Sequence, residues 1–261
     1  MLKTFHLLLA LFLLTSGVFC QTNPIKYGSN PQASHYASVN GIKLYYETYG
    51  NGEPLIMLHG NGGSIDAFRN QIPFFEKYYR VIAIDSRLQG KSGGSADTIS
   101  YEMMASDFCT LLDQLQIKSA YVLGWSDGGI DGILMAMNCP DRVKKLAASG
   151  ANTVADTTAL SQADFIEMKK VVANPQSSPI EKALNQMMIN QPNIAYSDLG
   201  KIKCPVLIMA GDRDMIKPEH TLKIFQSIPG AKLCIFPDSH YGVCQQHSDL
   251  FNETVLRFFQ K

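Results

Sequence analysis

Residues Tyr121-Val-Leu-Gly124-Trp-Ser126-Asp-Gly128-Gly-Ile form an apolar run that breaks into G-x-S-x-G. The chain then resumes with Ile130, Ile133, Leu134 and Met137 at helical spacing. A chain meets that pattern by turning from a buried strand directly into a helix. Gly124 and Gly128 leave out the side chains that would collide where the backbone doubles back, so the Ser126 hydroxyl projects above the strand's end. A hydroxyl displayed in this way has a chemical use, as a nucleophile.

Other short apolar runs recur along the chain: Leu55 to Leu58, Val81 to Ile84, Ala120 to Leu123, Leu146 to Ala148, Val206 to Ala210 and Leu233 to Phe236. Runs of this length mark strands covered on both faces, as in a parallel sheet. Asn40-Gly41 before Ile42 to Tyr49 is a hairpin signal, so the first two strands are expected to be antiparallel. Between the runs lie helical patterns such as Met104, Phe108, Leu111 and Leu115 behind Ser100 as N-cap. The alternation predicts an α/β fold: a mostly parallel, doubly wound sheet of about eight strands. From 152 to 200 no strand is evident, and two helical segments stand there instead. The second opens with Ser178-Pro-Ile-Glu181, a capping box with proline at the first helical position. The predicted organisation is a signal peptide at 1–20, a linker at 21–34, a core at 35–151, a small helical lid at 152–200 and the rest of the core at 201–261.

Lys3, the apolar stretch Leu7 to Leu14 and the small residues before Gln21 read as a secretory signal, and the chain is expected to be secreted or periplasmic. The stretch is shorter than the ~20 residues that span a bilayer, so no stable membrane span is expected. The alternative is a lipid anchor on Cys20, against which bulky Phe19 stands. Cys109 and Cys139 fall in predicted helices, and Cys204 and Cys234 sit out of register on neighbouring strands. The cysteines therefore read as small buried hydrophobes, not as a disulfide framework. No Cys or His spacing suits zinc, so no metal site is expected. Lys and Arg number 23, as do Asp and Glu, with no basic run. That balance gives no electrostatic footprint for nucleic acid and points to a neutral or apolar small-molecule substrate.

A serine hydroxyl is a weak nucleophile and needs a base, which in turn needs a group to orient it. His240, in Pro237-Asp-Ser-His240-Tyr-Gly, occupies a loop just after the last strand and is the expected base. His6, His35, His59, His220 and His247 lie in the signal, near the mature start, at a strand end or in predicted helices. Asp212 and Asp214 both follow Pro205 to Ala210. Asp214 sits further into the loop and is the expected orienting acid, while Asp212 is expected to bond its own turn. The glycine-rich Leu58-His-Gly-Asn61-Gly-Gly-Ser64, between a strand and a helix, frees backbone amides for an oxyanion. The expected donors are the N–H groups of Asn61 and Asp127.

His59-Gly60-Asn61-Gly62-Gly63, Gly124-Trp-Ser126-Asp-Gly128, Gly211-Asp-Arg-Asp214 and His240 together resemble the α/β-hydrolase family over roughly Val39 to Phe259. Gly124 to Ile130 followed by Gly150-Ala-Asn152 looks most like the valacyclovir hydrolase, or biphenyl hydrolase-like, group. The resemblance implies the α/β-hydrolase fold and a serine hydrolase of small-molecule carboxylic esters that uses no cofactor. It also associates the acid after the nucleophile, Asp127, with the ammonium of aminoacyl esters; a carboxylate in the first turn of a helix is equally favoured by the helix dipole. The family's D-x-R-G-x-G-x-S loop stands here as Asp85-Ser-Arg87-Leu88-Gln-Gly90-Lys-Ser92, with leucine in place of a glycine. Lactonase, C–C bond hydrolase and aminopeptidase chemistry use the same triad, and a non-catalytic binding scaffold is the reading from another class. Phe68, Asn152, Met187, Met188 and Tyr241 are pocket candidates by position. Trp125 is expected to line the pocket or to fill the space behind the elbow, with the second favoured.

Overall fold

A computed structural model describes residues 25–261. The expected signal and Cys20 lie outside the described residues. Eight strands form one sheet: β1 (Ser34–Val39), β2 (Ile42–Tyr49), β3 (Pro54–Leu58), β4 (Arg80–Ile84), β5 (Ala120–Trp125), β6 (Val143–Ser149), β7 (Val206–Gly211) and β8 (Lys232–Phe236). Their order is β1-β2-β4-β3-β5-β6-β7-β8. The β1–β2 and β2–β4 pairs are antiparallel and all others parallel. Asn40 and Gly41 both take positive φ, 41° and 80°, the two-residue turn that joins Val39 to its partner Ile42.

The helices are α1 (Ile72–Phe75), α2 (Tyr101–Gln114), α3 (Asp127–Asn138), α4 (Gln162–Ala173), α5 (Pro179–Asn190), α6 (Pro218–Ser227), α7 (Val243–Gln246) and α8 (Ser248–Gln260). They cover both faces of the sheet, which is why the central strands are continuously apolar. On β3, Ile56 and Leu58 join the core under α2 and α3, while Leu55 and Met57 join the core under α1 and α8. Side chains of this kind contribute roughly 1.5–3 kcal/mol each when fully buried.

Ser100 caps α2 by accepting from the Met103 amide at 3.1 Å. Between β6 and β7 stand α4 and α5, each opened by a capping box, Ser161 with Asp164 and Ser178 with Glu181. The base of this insertion is closed by the Val154–Asn193 bridge and the Ile194 N–H to Thr153 carbonyl bond of 2.8 Å. His220 on α6 fastens both of its ends: Nε2 accepts from the Thr153 amide at 3.0 Å, and Nδ1 lies 2.8 Å from the Tyr196 hydroxyl. Burial lowers its pKa to about 4, so it holds these bonds as a neutral ring.

One expectation is corrected here. Cys109 and Cys139 form a disulfide across a Cα separation of 6.7 Å. Both do fall in or beside helices, but α2 and α3 pack side by side, and the C-terminal end of α3 brings Cys139 beside α2. Linear sequence does not display that proximity. Cys204, Cys234 and Cys244 are free thiols.

Candidate active site

Ser126 joins β5 to α3 with φ 59° and ψ −124°, a conformation strained for any residue other than glycine. Its amide donates to the Ser149 carbonyl at 2.8 Å, and Gly128 N–H donates to the His59 carbonyl at 3.1 Å. A Cβ on Gly124 would come within 2.1 Å of the Gly128 carbonyl, and one on Gly128 within 1.9 Å of the Leu58 carbonyl. The motif's glycines are thus demanded by the close approach of three backbone segments. Only a turn this tight leaves the serine pointing off the sheet.

Across from the elbow, the Leu58–Ser64 loop is fixed by His59. Its Nε2 accepts from the Ser86 amide at 3.0 Å, and Nδ1 lies 2.7 Å from the Gly60 carbonyl. Burial holds the ring neutral, with a pKa lowered to about 4. The Gly62 amide is taken by Gln89 Oε1 at 2.7 Å and the Gly63 amide by the Gly60 carbonyl. The amides of Asn61 and Asp127 have no hydrogen-bond acceptor among the described residues. Two unengaged amides beside the nucleophile are what a developing oxyanion requires. The neighbouring turn holds Leu88 at φ 67°, which explains why a glycine suits that position in the related pattern.

The Asp127 carboxylate faces a cavity above the elbow. It accepts from the Asn61 side-chain amide at 2.8 Å and from the Tyr101 hydroxyl at 2.9 Å. Burial outweighs those two donors and pushes its pKa up to about 6. Nothing in the sequence marked Tyr101, the first residue of α2, as part of the site.

The expected orienting acid and the expected base are not brought together with Ser126. Asp214 accepts from the Gly211 amide at 3.2 Å and the Ile216 amide at 3.0 Å, and burial raises its pKa. His240 is exposed. Its Nδ1 lies 3.4 Å from the Arg213 carbonyl, and it makes no hydrogen bond to Asp214 or Ser126. The hydroxyl bonded to Ser126 Oγ belongs instead to Tyr241, one residue on. The cause is the way the loop is pinned: both Asp212 carboxylate oxygens hold the amides of Asp238 and Ser239, at 3.0 and 2.9 Å, and Gln246 Oε1 holds the His240 amide at 3.0 Å. Asp212 therefore serves the neighbouring loop and not its own turn.

A cavity of about 350 Å³ lies between the elbow and the lid, and Asn152, Met188, Trp125 and Tyr241 line it. Phe68 does not. It is fully buried in the core on the α1 and α8 side of the sheet, because its short turn, Ile65–Phe68, faces away from the lid. Met187 and Met188 are adjacent on α5 and so point to different sides; Met187 enters the core and Met188 the cavity. Trp125 lines the cavity and packs on the Tyr241 ring at 5.8 Å.

This sheet order, with a serine elbow at the end of β5 and helices inserted after β6, defines an α/β-hydrolase, and residues 53–174 match the family model described as alpha/beta hydrolase fold. By fold and by this match the chain is similar to the hydrolases of that family. Among its relatives, serine hydrolase BPHL of Mus musculus is 25% identical over 264 residues, covering 92% of this chain and 91% of the relative. A 2-hydroxy-6-oxononadienedioate/2-hydroxy-6-oxononatrienedioate hydrolase of Comamonas testosteroni is 26% identical, covering 84% and 92%. The enol-lactonase from Burkholderia xenovorans LB400 superposes with a TM-score of 0.73 at 22% identity, covering 87% of this chain and all of that one, a likeness of fold.

Proposed function

We propose that the protein is a serine hydrolase of small carboxylic esters, neutral or amine-bearing, that works through an acyl-enzyme on Ser126. The observation that carries this reading is the strained serine beside the two unengaged amides of Asn61 and Asp127. Ser126 Oγ adds to the ester carbonyl and its proton passes to His240. The alcohol leaves with that proton, and water, deprotonated by the same imidazole, releases the acid and restores the serine. Asp214 orients His240. For this the Pro237–Gly242 loop has to bring His240 to the place that Tyr241 holds.

The cavity's charge supports the choice of substrate. Asp127, Asp164 and Glu167 line it, the last paired with Lys170 at 2.6 Å, and no Lys, Arg or His among the described residues does. A relative acts on a dioate, and a dianionic substrate of that kind would meet carboxylates here with no cation among the described lining residues. A neutral ester meets no such repulsion, and an ammonium group would be attracted. A fluorophosphonate should label the purified protein and fail to label Ser126→Ala. A panel of matched p-nitrophenyl, aminoacyl, lactone and dicarboxylate substrates should favour the first two.

The Tyr241–Ser126 bond favours a second reading, a binding scaffold that holds a carbonyl compound without turnover. Stoichiometric binding with no product, together with unlabelled Ser126, would select it. We also propose export to an oxidising compartment. The Cys109–Cys139 disulfide supports it, since such bonds persist there and are rare in reducing cytosol. The mass of the mature N-terminus tests this.

A further inference from the structure

Tyr241 has a seat built for it. A Cβ on Gly150, at φ +61°, would come within 2.8 Å of the tyrosine Cε2, so bare backbone forms one wall of the slot. Trp125 forms another, and its indole N–H donates to the Tyr241 carbonyl at 3.1 Å. From this slot the phenol donates to Ser126 Oγ. Burial raises the phenol's pKa, so it stays protonated and cannot serve as a base. The hydrogen bond it donates occupies a lone pair through which Ser126 would attack.

The next residue back is placed the opposite way. His240 lies in solvent beside Arg213, and Asp214 is left with backbone donors alone among the described residues. Imidazole, carboxylate and hydroxyl are thus one residue out of step. The segment that would turn to correct this is short and bounded by Asp238, in the left-handed region at φ 50°, and by Gly242.

We propose that Tyr241 is a latch on the nucleophile: its phenol holds Ser126 and keeps His240 outside until an entering carbonyl compound displaces it and the Ser239–Tyr241 segment turns the imidazole inward. The latch rests on the reading of the chain as a serine hydrolase. It makes reactivity depend on whether a ligand can take the place of the phenol, so Tyr241 is a specificity-determining residue.

The test compares fluorophosphonate labelling rates of the wild type, Tyr241→Phe, His240→Ala and the double variant. The emission of Trp125, the chain's single tryptophan, is followed as a reporter of the tyrosine seat. Tyr241→Phe keeps the ring in its slot and removes only the hydroxyl. It should label about fivefold faster or more, the equivalent of one hydrogen bond. His240→Ala should lose labelling in both backgrounds, and reaction of the wild type should shift the Trp125 emission as the ring leaves. An unchanged or slower rate in a folded Tyr241→Phe, with labelling still dependent on His240, overturns the latch and leaves the hydrolase standing. Fast labelling of Tyr241→Phe that ignores His240 also overturns it. If no variant and not the wild type is labelled, the hydrolase reading itself fails.

Discussion

Asp127 and Asp131 sit one helical turn apart on α3, both buried, and of the two side chains only that of Asp127 has hydrogen-bond partners among the described residues. Both Asp131 oxygens lack a partner among the described residues. Burial raises its pKa well above the carboxylate range, and Asp127, Asp107 and Glu102 nearby add to the rise. One acid is therefore equipped to carry charge at the cavity, while burial and its acidic neighbours disfavour charge on the acid behind it.

For Asp131 this should show in stability. A folded-state pKa raised above the unfolded one contributes stability below the usual carboxylate range, and that contribution is lost as pH rises through the folded value. Melting curves of Asp131→Asn and wild type should converge near pH 4 and separate toward alkaline pH, with the variant more stable. Parallel curves across that range would show that Asp131 does not titrate with folding.

The partnered acid should show in specificity. Asp127 ionises as pH rises through about 6, so an ammonium-bearing ester gains an attractive partner above that value. The ratio of kcat/KM for an amine-bearing ester to that for its matched neutral ester should rise through pH 6, the ratio cancelling pH effects common to both substrates. Asp127→Asn should flatten it. A flat wild-type ratio would remove Asp127 from amine recognition.

The elbow stores strain that a smaller residue would release. Replacing Ser126, at φ 59°, by glycine should raise the denaturant midpoint by the equivalent of about 1–3 kcal/mol while abolishing hydrolysis. A midpoint that falls would mean that the hydroxyl's bond to Tyr241 outweighs the strain.

Closing a loop of 30 residues by the Cys109–Cys139 bridge stabilises by about 3.6 kcal/mol in the chain-entropy account. Cys139→Ser should lower stability by that order, and peptide mapping without reductant should recover the linked pair while Cys204, Cys234 and Cys244 alkylate. Recovery of Cys109 as a free thiol from oxidising medium would contradict the pairing.

Much of the fold was legible because its signals are local. Continuous apolar runs announced strands covered on both faces, and Ser178-Pro-Ile-Glu181 announced a helix start that forms as read. The elbow was legible for the same reason, since the glycines of G-x-S-x-G answer to steric contacts within a few residues of it. Phe68 was misplaced because an aromatic after a glycine-rich loop gives no sign of which side of the sheet its turn will face. Tyr101 was missed because its partner, Asp127, is on a different helix.

Sequence alone determined the doubly wound sheet, the strand-to-helix serine and the glycine loop opposite it, because apolar period and backbone sterics act over a few neighbouring residues. Tertiary structure decided that Tyr241 and not His240 meets Ser126, that Cys109 meets Cys139, and that the Asp131 carboxyl has no partner among the described residues. The facing of a loop residue is set by anchors remote in sequence, here Asp212, Gln246 and Trp125, and those anchors exist only once β5, β7 and β8 are assembled in one sheet with β6 between β5 and β7.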